Sequence, residues 1–96
     1  MFHQYILHVE NVYRPGGDDR LNMLIAEVEA EVIDGKNGDT LYELTVPVTF
    51  HAYGVYPDIK AIGQIIPEQK VKRELFFQVR RYVRKLRNVL VPEEDE

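Results

Sequence analysis

The chain predicts an α+β domain: a four-stranded, mostly antiparallel β-sheet followed by one long C-terminal amphipathic α-helix packed on one face. Three observations carry this expectation. MLIAEVEAEVI, residues 23–33, alternates apolar and acidic side chains with period two, the signature of a strand with one wet face. DGKNGD, residues 34–39, joins it to a second alternating run and reads as a hairpin connection with two glycines available for positive φ. From Glu68 to about Val91 neither Gly nor Pro interrupts the chain, and its apolar residues recur with the helical period.

Taken in order, FHQYILHVENVY (2–13) is rich in aromatic and branched residues and reads as the first strand. RPGGDDRLN follows as a loop, where Asp18 and Asp19 are expected to face solvent. In the second strand Leu24, Ala26, Val28, Ala30 and Val32 point one way, and Glu27, Glu29 and Glu31 the other. In the third, TLYELTVPVTFHAY, the inward set is Tyr42, Leu44, Val46, Val48, Phe50 and Ala52. Aligning the inward sets pairs Val32 with Tyr42 and Val28 with Val46, and sets Glu31 against Glu43 on the outer face. Like charges so placed are unfavourable and favour a cationic neighbour. Pro47 lacks an N–H, which places it at an edge or bulge. After a turn at Tyr56-Pro57-Asp58, IKAIGQII (59–66) reads as a short fourth strand, two-sided in Ile59, Ile62, Ile65 and Ile66.

On the final helix, residues spaced by 100° place Val71, Leu75, Val79, Tyr82, Val83, Leu86, Val89 and Leu90 in one arc of roughly 120°, with Phe76 at its margin. Arg73, Arg80, Arg81, Arg84, Lys85 and Arg87 occupy the far side, and Phe77 falls among them. Residues 68–88 carry eight basic and two acidic side chains, net +6, inside a chain of net charge -4. A helix of that length, ~36 Å, matches the strands but covers only part of four strands' ~19 Å width. An apolar strip of the sheet, including Tyr5, Leu7 and Val9 on one side and Ile6 and Val12 on the other, is left for a second subunit.

Ninety-six residues support one domain, expected over 1–92, with 93–96 (EEDE) as an acidic disordered tail. No apolar run approaches the ~20 residues that cross a bilayer. The N-terminal residues do not read as a signal peptide, so no membrane contact and a cytoplasmic location are expected. With no cysteine and no serine, disulfides, thiolate metal sites and the usual acyl-transfer nucleophiles are excluded. His3 and His8 point to opposite strand faces and cannot share a metal. The carboxylates of Glu29, Glu31 and Glu43 lie on a flat face with nothing to desolvate them. No Gly-rich phosphate loop is present; no enzyme, cofactor or metal is expected.

The expected function is a non-enzymatic interaction or assembly module, self-associating as a homodimer or larger. Its binding residues are Arg73, Phe77, Arg80, Arg81, Arg84 and Arg87. Their charge is answered by the acidic face of Glu27, Glu29, Glu31 and Glu43 or by an acidic protein partner. The alternative is a nucleic-acid binder with Phe77 stacking on a base and Arg80, Arg81, Arg84 and Arg87 on phosphates. Against it stand the acidic pI near 5.4 and the lack of a recognition motif. The order of four strands then one long helix resembles the core of SecB-type export chaperones. That resemblance implies a tetrameric holdase with apolar client grooves; a small inhibitor of an acidic protein is also compatible.

Overall fold

The hairpin of the two alternating runs forms the centre of the fold. The computed structural model describes residues 3–16 and 22–90. In it β2 (Leu24–Asp34) and β3 (Thr40–His51) pair antiparallel. Val28 faces Val46, Val32 faces Tyr42 and Glu31 faces Glu43, the register that burying one face requires. The turn closes through Gly38, at φ +79°, a conformation that favours glycine. Asp34 Oδ1 accepts from Lys36 N–H at 2.8 Å, and Asn37 Oδ1 accepts from Asp39 N–H at 3.0 Å.

β1 (His3–Tyr13) pairs antiparallel with the other side of β2. Tyr5, Leu7 and Val9 lie opposite Val32, Ala30 and Val28 on the inner face. Plain alternation would then turn Val12 outward with Ile6. Instead a bulge between Val9 and Asn11 inserts Glu10, and Val12 returns to the inner face opposite Ala26, where it is buried. Ile6 does face outward and is exposed.

The fourth strand is not residues 59–66. It is β4 (Gly54–Pro57), which pairs with Val48–His51 only, in the sheet order β1-β2-β3-β4. Residues Ile59–Ile65 form a short helix, α1. Asp58 caps it, its Oδ1 accepting from Lys60 N–H at 2.9 Å and Ala61 N–H at 3.2 Å. Ile62 and Ile66, four apart, are buried together, whereas Ile59 and Ile65 face out. Branched isoleucines suggested a strand; the aspartate cap and the four-residue spacing decide for a helix.

α1 flanks the part of β3 that β4 leaves unpaired. Asp58 N–H donates to Pro47 O at 2.9 Å at one end, and Tyr42 hydroxyl donates to Glu68 just past the other. Pro47 thus stands where strand pairing stops, as its missing N–H requires, and a helix covers the exposed edge.

α2 (Gln69–Leu86) is 18 residues long, about 27 Å, shorter than expected. Glu68 is its N-cap, and Arg87–Val89 form a closing turn. Val89 therefore leaves the apolar stripe and is exposed. Val71, Leu75, Val79 and Val83 are buried against the inner sheet face, and Tyr82, Phe76 and Leu90 pack at the margins. Among the described residues no polar or charged side chain is buried. Val91, the Asp18-Asp19 loop and the 93–96 tail lie outside the described residues.

Two substitutions test this arrangement by urea unfolding. Leu75→Ala empties the centre of the helix–sheet contact and is expected to lower stability by about 2–5 kcal/mol. Asp58→Ala removes a cap and is expected to cost about 1 kcal/mol; an Asp58→Asn chain should lose much less.

Candidate functional site

The two acidic side chains of the helix region are both turned toward the sheet. Tyr5 hydroxyl donates to Glu74 Oε2 at 2.8 Å, and Tyr42 hydroxyl donates to Glu68. These bonds join α2 to β1 and β3. They also leave the outward face of α2 with no negative charge. Both tyrosines titrate above their usual value of 10.0: Tyr5 through burial, then the bond to and charge of Glu74; Tyr42 chiefly through its bond to Glu68.

Arg73, Phe77, Arg80, Arg81 and Arg84 come together on that face, as expected. Phe77 is 56% exposed and meets Phe76 edge-on, ring centres 5.6 Å apart. A shallow hollow of about 290 Å³ is lined by Phe77, Arg80, Arg81 and Arg84. The five are not equivalent. Arg80 Nε donates to Val55 O at 3.3 Å, which ties it to β4. Among the described residues Arg73, Arg81 and Arg84 make no hydrogen bond or ion pair.

Arg87 does not join the group. Its Nη1 donates to His51 O at 3.4 Å, and it lines a separate hollow with Asn22, Leu24 and Phe50. The closing turn after Leu86 carries it away from the helical phase of the other arginines.

The acidic set Glu27, Glu29, Glu31 and Glu43 does form one face, but on the side of the sheet away from α2. Period-two alternation puts it there, since the residues between these glutamates are the ones that α2 and α1 cover. Within one chain, therefore, it does not meet the arginines, and the complementarity expected from the sequence applies between copies. The bulge adds Glu10, which sequence reasoning had not singled out. Hydrogen bonding to Glu29, and then that group's charge, raise Glu10 above the ordinary carboxylate value. Asn11 Nδ2 donates to Glu27 at 3.2 Å, and Thr40 Oγ1 donates to Glu31 at 2.6 Å. His3 lies beside Tyr5 on the inner face, and His8 lies on the outer face opposite Glu29.

The uncovered strip of sheet is narrower than predicted, because α1 packs on the β3 side. What remains is a hollow of about 370 Å³ between β1 and α2, lined by Tyr5, Leu7, Gln78, Arg81, Tyr82 and Lys85. No helix among the described residues is long and apolar enough to cross a membrane.

Comparison with protein-family models, with curated proteins and with solved structures finds no match. The likeness to SecB-type chaperones thus rests on element order alone.

The carboxylate cluster and the tyrosine pair make pH predictions of the same sign in two different pH windows. Glu10 binds its proton more tightly when folded, so its contribution is full below the unfolded value and lost as pH rises through the folded one. Glu10→Gln is expected to raise the urea midpoint at neutral pH, with the gain vanishing in acid. The tyrosines' contribution is full below 10 and is lost above it. Alkaline unfolding should shift to higher pH in the double variant Tyr5→Phe, Tyr42→Phe, although that variant is less stable at neutral pH.

Proposed function

We propose that this chain is a non-enzymatic protein-interaction module whose contact surface is the Arg-rich face of α2. Its partner presents an acidic protein surface. The observation that carries this reading is the sorting of charge on α2. Glu68 and Glu74 face the sheet tyrosines, and Arg73, Arg81 and Arg84, without a partner among the described residues, surround a half-exposed Phe77. An aromatic ring ringed by guanidinium groups is the composition of an interface anchor. Charges of one sign at its rim speed and select the encounter.

The nucleic-acid reading is weaker on the same geometry. Of the four arginines assigned to phosphates, Arg80 and Arg87 already donate to backbone carbonyls. The opposite face of the molecule carries the Glu27, Glu29, Glu31 and Glu43 cluster, whose field repels a polyanion.

A second copy can supply the acidic surface, and self-association is the form this takes in the absence of another partner. Because basic and acidic faces point in opposite directions, a two-fold contact would set like against like. Charge-driven self-association is therefore head to tail.

Light scattering after size exclusion, at low and high salt, tests both parts. Association that salt weakens, and that Phe77→Glu or Arg81→Glu abolishes, is expected. A titration with a glutamate-rich peptide and a single-stranded oligonucleotide completes the experiment. Tighter binding of the oligonucleotide, or binding of neither with a monomer at every salt concentration, overturns the proposal.

A further inference from the structure

Beside the arginines a groove of about 300 Å³ runs between α1 and α2. Ile59, Ile62, Phe76 and Phe77 form its apolar walls, Gly63 opens its floor, and Lys72 and Arg73 stand at its rim with no carboxylate among them. Ile59 is 67% exposed and Phe77 56%. Two large apolar side chains thus face one another across an open groove beside a cationic surface. That combination marks a binding surface more than a scattered exposed residue does.

Gly63 supplies an independent observation. A glycine inside a helix costs about 1 kcal/mol relative to alanine, so it needs a reason. It has no positive φ. A Cβ placed on it would meet only Lys72 Cδ, at 3.9 Å, an ordinary contact. Neither backbone conformation nor packing within the chain requires glycine here. A side chain at this position would enter the groove.

Resting on the acidic-partner reading above, we infer that this groove is an anchor pocket for an acidic protein segment carrying one apolar side chain. The apolar residue seats over Gly63 between Ile59 and Phe77, and flanking carboxylates of the segment meet Arg73 and Lys72. The volume suits this occupant. A cavity of roughly 150 Å³ holds a benzene ring, so the groove takes an aromatic or branched side chain with part of its backbone. The rim charge selects acidic neighbours over basic ones.

Selection of short random peptides displayed on phage against the folded chain, followed by fluorescence anisotropy on the enriched peptide, tests this. Enrichment of Phe, Leu or Ile flanked by Asp or Glu is expected, with binding that weakens as salt rises. Gly63→Leu should weaken binding by at least about tenfold. Gly63→Ala should keep the fold, checked by circular dichroism, and bind within about twofold of the wild type, since one methyl leaves most of the groove open. Acidic peptides that bind equally well to Gly63→Leu and Ile59→Glu but poorly to Arg81→Glu overturn the groove and leave the basic-face reading intact. Enriched peptides without acidic residues overturn the stated chemistry of the occupant. A Gly63→Leu chain that merely turns a wild-type oligomer into a monomer, with no peptide enriched, assigns the groove to a second copy and also overturns it.

Discussion

Val71, Leu75, Val79 and Val83 form a single ridge at four-residue spacing, and all four are buried on the inner face of the sheet. A helix held by one fully buried ridge has one permitted rotation about its axis. The hydrogen bonds from Tyr5 to Glu74 and from Tyr42 to Glu68 secure the same rotation from both sides of the ridge. The outward surface follows from it. Arg73, Phe77, Arg81 and Arg84 face solvent because the valines and Leu75 cannot.

The same constraint separates the charges. Residues 68–88 have a net charge of +6, whereas the whole chain has -4. An apolar layer of sheet and helix lies between the arginines and the glutamates of the outer face, so neither set quenches the other at contact distance. Such a molecule is polar across its thickness and presents an unneutralised patch of each sign. Partner choice by charge is possible for that reason, whether the partner is another copy or a different protein.

α1 is the second structural determinant. By packing beside the unpaired part of β3 it covers a sheet edge and the inner face on that side, leaving the β1 side open. It also supplies Ile59, Ile62 and Gly63, one wall and the floor of the groove beside α2. A true fourth strand at 59–66 would have extended the sheet and left no such groove.

Period-two alternation was enough to set β2 and β3 in register, down to Val28 on Val46 and Glu31 on Glu43, because a slip by one residue would expose the whole core face. The helical period likewise determined the buried ridge of α2 and the grouping of Phe77 with Arg73, Arg80, Arg81 and Arg84. Local pattern could not show the bulge at Glu10, which depends on keeping Val12 in the core. It also misread IKAIGQII, where isoleucines favour a strand and only the Asp58 cap and the fit of Ile62 and Ile66 beneath α2 favour a helix. That Glu27, Glu29, Glu31 and Glu43 face away from the arginines already follows from period two, whereas the placing of α1 beside α2, and with it the groove between them, belongs to the tertiary structure. Sequence decided the periodic faces, since each element must bury its own apolar side. Packing decided how those faces are set against one another, since that depends on which apolar surfaces fit together.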